Sequence, residues 1–300
     1  MNKNKKETTN KITIALLLCI TVFIVCNAEG TFNYFALKNK SDAINDNKNV
    51  SKKMSRDAKD DLDFTDSSFD LYLLIGQSNM AGRGLITGEF IDQQDPRVFM
   101  LNKENAWVPA KNPLHFDKPS IAGVGPGLSL GISMTKKNPA HKIGLIPCAV
   151  GGTSIDVWKP GAFDKATKTH PYDHMAVRLQ EAEKSGVLKG IIWLQGESDS
   201  SPEKAALYLD KLKELIERIR TLAGNNSVPF VAGELGRYKE QYQNINVVLK
   251  QLPAQVSNTA IASSKGLKDK GDKTHFDSPS AKKMRERMAK KMIALQKRIS

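Results

Sequence analysis

The chain has 300 residues, of which 40% are hydrophobic and 26% are charged, as in an ordinary soluble protein with one large or two small domains. Its formal net charge is +13, and residues 265–300 contribute twelve Lys and Arg against four Asp and Glu. The basic residues of this segment have helical spacing, which predicts that they form one solvated face of a helix. No zinc-finger spacing or aromatic RNA-binding motif accompanies it, so we expect no nucleic-acid partner.

Residues 1–67 are predicted to form two segments ahead of the folded domain. Residues 1–11 are polar and basic, and residues 12–28 are apolar, which is typical of a secretory signal peptide; an uncleaved membrane anchor is the alternative. Residues 29–67 are rich in Asn, Lys, Asp and Ser and predict a flexible polar spacer. We therefore expect an exported protein, periplasmic, extracellular or anchored on the outer side, whose domain spans residues 68–300.

Cysteine usage excludes a disulfide framework. Cys19 and Cys26 lie in the apolar N-terminal segment, so a cleaved chain keeps only Cys148. The apolar run around Cys148 predicts a buried residue rather than a nucleophile. No His or Cys has a partner at metal-ligand spacing, and we expect no metal site.

From residue 71 onward, apolar runs alternate with helical patterns, which predicts a mainly parallel sheet with helices on both faces. Predicted strands cover 71–75, 97–101, 143–150, 188–194, 228–232 and 260–263. Predicted helices cover 127–137, 175–184, 202–222 and 241–251, and a last one starts at 278. Ser201 and Ser278, each followed by proline, are the expected helix caps.

Polar residues follow several of these strands, where the loops of open α/β folds carry the chemistry. Ser78 follows the first strand, Gly151 and Gly152 follow the third, and 195–199 follow the fourth. Asp272 and His275 lie in the loop before the final helix. Each also has a simpler interpretation: Ser78 as a helix cap, Gly151-Gly152 as a turn, and His275 as a solvated loop residue.

Together these residues match the needs of acyl transfer. That chemistry requires a hydroxyl nucleophile, a base, an acid that orients the base, and donors for the developing oxyanion. Ser78, His275 and Asp272 supply the first three, while the Ser78 and Gly152 N–H groups and the Gln195 amide supply donors. The hydrolase pattern G-x-S-x-G is absent, because position 80 is Met80.

Four segments, GQSNMAGRG, AVGGTS, QGESD and DKTH, resemble the blocks of the SGNH hydrolase superfamily. Their amino-acid sequences are similar to the motifs of the carbohydrate esterase branch that contains acetyl xylan esterases and sialate O-acetylesterase-like proteins. The resemblance extends from about residue 69 to the C-terminus. It implies a three-layer α/β/α, flavodoxin-like fold.

The resemblance also implies residue roles. The nucleophile falls on Ser78, the acid on Asp272 and the base on His275. The second-block glycine falls on Gly152, with Gly151 as the alternative, and Gln195 stands where the superfamily usually has asparagine, a replacement usual in this branch. The expected substrate contacts are Gln77, Asn79, Glu197 and Trp158. For Glu197 and for Asp199 we also expect a structural role, which is to support the loops at the carboxyl ends of the strands.

The sequence therefore predicts a serine esterase that removes acetyl groups from carbohydrate through an acyl-serine intermediate, without metal or organic cofactor. Two alternatives stay open. One is a non-catalytic carbohydrate-binding protein on an esterase fold, which the complete set of Ser78, Asp272 and His275 disfavours. The other is an esterase for lipid or thioester acyl chains.

Overall fold

A computed structural model describes residues 68–299 of the chain. The predicted signal or anchor segment and the predicted spacer lie outside these residues. Within residues 68–299, no helix has the length and apolar character needed to cross a membrane.

The first strand, β1 (Phe69–Gly76), is buried along its whole length and lies in the middle of a seven-stranded sheet. The strand order is β3-β2-β4-β1-β5-β6-β7, and every neighbouring pair is parallel except β2 with β3. The further strands are β2 (Val98–Leu101), β3 (Trp107–Pro109), β4 (Lys142–Pro147), β5 (Val187–Leu194), β6 (Phe230–Gly233) and β7 (Thr259–Ala262).

Helices cover both faces of the sheet. They are α1 (Ser78–Ala81), α2 (Gly127–Lys137), α3 (Pro171–Glu183), α4 (Pro202–Leu222), α5 (Tyr242–Leu249), α6 (Leu252–Gln255) and α7 (Ser278–Ile299). Short 3-10 helices lie at Gly88–Phe90, Pro119–Ile121, Ile155–Val157 and Glu197–Asp199.

Successive side chains of the strands point to opposite faces of the sheet and pack against two separate layers of helices. On one face, Tyr72 and Leu74 of β1 share a buried cluster with Met284 and Met288 of α7 and with residues of α2. On the other face, the indole N–H of Trp193 in β5 donates to the hydroxyl of Tyr208 in α4 at 3.0 Å. The predicted three-layer α/β/α fold with a mainly parallel sheet is confirmed.

Most predicted elements are present, with shifted ends. The strand predicted over 143–150 ends at Pro147, while Cys148 is buried just beyond it, as predicted. The helix predicted over 241–251 ends at Leu249, and α6 follows separately. Strand β3 was not predicted, because its three residues are too few for a periodic pattern.

The caps of the two long helices differ. Ser201 caps α4 as predicted, since its hydroxyl accepts a hydrogen bond from the N–H of Lys204. At α7 the predicted cap, Ser278, instead donates its hydroxyl to the carbonyl of Leu85 at 2.7 Å. The carboxylate of Asp277 accepts the N–H of Ser280 at 2.7 Å and so takes the capping role one residue earlier.

Candidate active site

The sheet order brings three of the predicted segments together, because β4, β1 and β5 are neighbours and parallel. A sharp turn follows β1 at Gly76, whose φ is +131°. A Cβ at this position would lie 2.2 Å from the carbonyl oxygen of Leu194, so only glycine fits. The N–H of Gln77 donates to that carbonyl at 3.0 Å, which fixes Ser78 as the first residue of α1.

Ser78, His275 and Asp272 lie in one hydrogen-bonded line. The Oγ of Ser78 is 2.9 Å from Nε2 of His275, and Nδ1 of His275 is 2.7 Å from Oδ2 of Asp272. The distances are those a nucleophile and base need. When Nδ1–H donates to the carboxylate, Nε2 is left to accept the hydroxyl proton. The structure thus brings together the three residues predicted from separate parts of the chain.

The electrostatics of Asp272 suit an orienting acid. Burial opposes its ionisation, but hydrogen bonds from the N–H and imidazole of His275 and from the N–H of Thr274 outweigh burial and lower the pKa of Asp272 to about 2. The carboxylate is therefore ionised at neutral pH. It can stabilise the imidazolium that forms when His275 takes a proton.

Asn79 holds the chain on both sides of His275. Its Nδ2 donates to the carbonyl of Thr274 at 3.0 Å, and its Oδ1 accepts the N–H of Phe276 at 2.9 Å. The same Nδ2 donates to Oε1 of Glu197 at 2.5 Å. Asn79 is 4% exposed, and these bonds hold the His275 loop; its contact with substrate stays a prediction.

The carboxyl group of Glu197 is buried behind Asn79. Burial raises the pKa of Glu197 to about 7, although the hydrogen bond from Asn79 opposes the change. Its Oε2 has no hydrogen-bond partner within residues 68–299. The placement agrees with a supporting role, and a contact between Glu197 and substrate stays a prediction.

Two backbone N–H groups remain for an oxyanion. Those of Ser78 and Gly152 have no hydrogen-bond partner in the described part of the chain. Gly152 is exposed and has a φ of +91°, a left-handed conformation that favours glycine. The neighbouring N–H, of Gly151, donates to Oδ2 of Asp117 at 2.8 Å, which disfavours Gly151 as the alternative donor.

A buried ion pair supports this turn. Oδ2 of Asp117 also accepts from Arg83 at 2.7 Å, and the two side chains are 2% and 1% exposed. Burial alone would raise the pKa of Asp117, but the Arg83 guanidinium outweighs it and holds that pKa below its ordinary value. Sequence reasoning missed both residues. Arg83 could have been found, because it lies within the segment GQSNMAGRG that resembles a family block. Asp117 lies in no such segment, and no sequence pattern around it indicates a role.

Gln195 does not occupy the predicted position of an oxyanion donor. Its side chain is fully buried, and its Nε2 donates to the carbonyl of Thr153 at 3.0 Å and to Oδ2 of Asp199 at 2.5 Å. Both amide hydrogens are thereby used. Gln77 is 3% exposed and its Oε1 accepts from Nε2 of Gln195 at 3.2 Å, so its contact with substrate stays a prediction.

Asp199 connects two of the loops at the carboxyl ends of the strands, a contact that agrees with the structural role expected for it. Its Oδ1 accepts from the hydroxyl of Ser154 at 2.5 Å, and its Oδ2 accepts from the N–H of Ile155 at 2.9 Å. With the bond from Gln195, three donors compensate its burial. Asp199 therefore fixes the loop that carries Gly152 against the loop that follows β5.

Trp158 and Trp193 lie in the interior. Trp193 is fully buried, as predicted for a strand residue. Trp158 is 1% exposed, its indole N–H donates to Oγ1 of Thr153 at 3.2 Å, and its ring meets that of Trp193 edge to face. With its side chain buried in this way, Trp158 packs in the core, and the prediction that it lines a sugar-binding cleft gains no support.

Comparison with known proteins adds the family. The family model described as "Carbohydrate esterase, sialic acid-specific acetylesterase" matches residues 68–294. A protein of Arabidopsis thaliana named "Probable carbohydrate esterase" is 31% identical over 231 residues, which are 69% of this chain and 83% of that protein.

Solved structures show the same architecture. The X-ray structure of an Arabidopsis thaliana protein matches with a TM-score of 0.66 and 26% identity, over 75% of this chain and 98% of that one. NanS matches with a TM-score of 0.61 and 16% identity, over 77% and 98% of the two chains. A carbohydrate acetylesterase from Xanthomonas citri matches with a TM-score of 0.58 and 17% identity, over 74% and 55%. The last two likenesses concern the fold alone.

Proposed function

The chain belongs to the carbohydrate esterase family of sialic acid-specific acetylesterases and is a carboxylic-ester hydrolase, and we propose that it removes O-acetyl groups from a carbohydrate through an acyl-Ser78 intermediate. The observation that carries this proposal is the continuous line from Ser78 through His275 to Asp272, at 2.9 and 2.7 Å.

In the first half-reaction, Nε2 of His275 takes the proton of the Ser78 hydroxyl as Oγ attacks the acetyl carbonyl carbon. The carbonyl oxygen becomes an oxyanion, which the N–H groups of Ser78 and Gly152 can stabilise. The imidazolium of His275 then donates its proton to the sugar oxygen as the ester bond breaks. The sugar leaves as an alcohol, and the acetyl group stays on Ser78.

In the second half-reaction, Nε2 of His275 takes a proton from water, and the resulting hydroxide attacks the acetyl-serine carbonyl. The proton returns to Oγ of Ser78 as that bond breaks, which releases acetate. Asp272 remains ionised throughout and holds the imidazole in the tautomer that both halves need. Each step uses only side chains and backbone groups of this chain.

Labelling with a serine-directed phosphonate tests the nucleophile. We expect a single adduct on Ser78 by peptide mass spectrometry, together with turnover of p-nitrophenyl acetate. Ser78→Ala should lose both while its circular dichroism is unchanged. Ser198→Ala is the matched control, because Ser198 is another rim serine whose hydroxyl contacts the carbonyl of Gly152 at 3.1 Å, and it should keep the Ser78 adduct. An adduct elsewhere, or full activity of Ser78→Ala, would refute the assignment.

The rate of carboxylate release, followed by pH-stat titration, tests the substrate class. Acetylated xylo-oligosaccharides and O-acetylated N-acetylneuraminic acid should be compared with a medium-chain acyl ester. Faster release from either sugar supports the carbohydrate assignment, whereas a preference for the acyl ester would point to the lipid alternative. Export is part of the same proposal, and it rests on the basic and apolar composition of residues 1–28. Fractionation of cells that produce the whole chain tests it, since retention in the cytoplasm would contradict it.

A further inference from the structure

The proposed oxyanion site lacks one of the three donors that the sequence predicts. The N–H groups of Ser78 and Gly152 have no partner in the described part of the chain, whereas both amide hydrogens of Gln195 donate to buried acceptors. An oxyanion that two backbone groups hold can accept a further hydrogen bond, and a charged donor makes the stronger bond. We therefore looked for a cation beside the two N–H groups.

Lys118 places an ammonium next to Gly152. A Cβ built on Gly152 would lie 3.8 Å from Nζ of Lys118, and no other described group beyond the neighbours in the chain comes within 4 Å of that position. A Cβ lies about 2.5 Å from the nitrogen of its own residue, so the ammonium is no more than about 6 Å from the Gly152 nitrogen. Both residues are exposed, which leaves the space over Gly152 open to a substrate.

The base of the Lys118 side chain is fixed relative to Gly152. The preceding residue, Asp117, accepts the N–H of Gly151 at 2.8 Å and the guanidinium of Arg83 at 2.7 Å, both through Oδ2. These two contacts fasten the chain at 117–118 to the loop that carries the proposed backbone donor. The flexible stem of Lys118 therefore starts from a defined point, and only the stem has to adjust for Nζ to meet a substrate oxygen.

The ammonium of Lys118 is also available. It has no hydrogen-bond or ion-pair partner within residues 68–299. Two lysines beside the His275 loop are engaged instead: Lys239 donates to Oγ1 of Thr274 at 3.0 Å, and Nζ of Lys270 lies 3.8 Å from Oδ2 of Asp272. Lys118 can therefore turn to a substrate without breaking a contact of the folded chain.

The two sides of the proposed reaction centre decide what Lys118 meets. His275 contacts Oγ of Ser78 and passes its proton to the leaving sugar oxygen, so the sugar oxygen lies on the histidine side. Gly152 donates to the carbonyl oxygen, which points away from the histidine. A cation beside Gly152 is therefore on the side where the negative charge develops.

Resting on the proposed esterase function, we infer that Lys118 is a further catalytic residue, whose ammonium donates to the oxyanion that forms when Ser78 attacks the acetyl carbonyl. It supplies the donor that Gln195 does not. The ammonium keeps its proton throughout, and the electron pair of the oxyanion re-forms the carbonyl bond when the sugar leaves. Because the charge is present only after the attack begins, the contact should act on kcat more than on KM.

Three variants separate the charge of Lys118 from its bulk. Lys118→Met removes the charge and keeps an unbranched stem, whereas Lys118→Arg keeps the charge. Lys136→Met is the matched control, because Lys136 is exposed in the last turn of α2, which leads into the start of β4 at the opposite edge of the sheet from Gly152. All of these positions are exposed, so the substitutions carry little risk to folding.

The readout is kcat and KM for p-nitrophenyl acetate, a neutral ester, at low and high salt. Loss of one preorganised oxyanion donor costs about 10²–10³-fold in kcat, and water screens an exposed ammonium, so we expect about a tenfold lower kcat in Lys118→Met. Lys118→Arg should stay within about threefold of the wild type, because it retains the cation. Added salt should lower the wild-type kcat towards that of Lys118→Met and leave the variant unchanged.

The outcomes distinguish this inference from the esterase proposal. Equal kcat values in Lys118→Met and Lys136→Met would overturn the inference and leave the esterase intact. A loss confined to O-acetylated N-acetylneuraminic acid, with p-nitrophenyl acetate unaffected, would also overturn it, because the ammonium would then contact the sugar carboxylate. A wild type that hydrolyses no ester would refute the esterase proposal, and this inference with it.

Discussion

Glu197 offers a quantitative test of the buried contacts behind the candidate site. Its Oε1 accepts from Nδ2 of Asn79, whereas its Oε2 is buried without a partner in the described residues. Burial raises the pKa of Glu197 to about 7, and the nearby Asp199 carboxylate adds to this effect. Glu197→Gln keeps an oxygen for Asn79 and removes the ionisation, so the variant isolates the cost of the charge.

The sign and size follow from proton linkage. The folded state holds the Glu197 proton up to about pH 7, whereas the unfolded chain loses it near its ordinary value of 4.5. The unfolded state is therefore favoured increasingly as the pH rises through this window, and stability falls. The difference between the two pKa values corresponds to about 3 kcal/mol, at ~1.4 kcal/mol per pKa unit.

We expect Glu197→Gln to gain free energy of unfolding relative to the wild type between pH 4.5 and 7, reaching about 3 kcal/mol above pH 7. Urea denaturation at several pH values, followed by tryptophan fluorescence, measures the difference. Glu217→Gln is the control, because Glu217 is exposed on α4 and should leave the curve unchanged. Parallel curves for Glu197→Gln and the wild type would refute the buried-charge reasoning.

Two variants test how His275, the proposed base, is placed. Asn79→Ala should lower kcat for p-nitrophenyl acetate by about 10- to 100-fold with little change in KM, because the chain on both sides of His275 loses its hydrogen bonds; an unchanged kcat would contradict this. Asp272→Asn should cost less activity than His275→Ala, since the base remains while its orientation is lost. The reverse order in a turnover assay would argue against the assigned roles.

The fold was predictable because burial dictates its sequence pattern. All eight residues of β1 are buried, and such strands are recognised as short apolar runs. The end of β4 was not predictable, because the apolar run continues past Pro147. There the N–H groups of Cys148 and Val150 still bond to Leu74 and Gly76 of β1, although the strand has ended.

The sequence predicted which loops meet at the site better than it predicted which way their side chains face. Strand ends converge in a parallel sheet, which places Ser78, Gly152 and Gln195 near one edge. Side-chain direction depends on loop conformation, and Gly196 with a φ of +144° turns the chain directly after Gln195. Contacts between distant loops, such as that of Asp117 with Gly151, leave no local pattern to read.

The inward position of Gln195 changes how the oxyanion site must be built. With its amide hydrogens spent, the backbone donors left for the proposed oxyanion are the N–H groups of Ser78 and Gly152, which only a proline would remove. Their placement nevertheless depends on side chains, because Asp117 holds Gly151 on one side of Gly152 and Gln195 holds Thr153 on the other. In the proposed mechanism, stabilisation of the transition state therefore depends on buried contacts on both sides of Gly152.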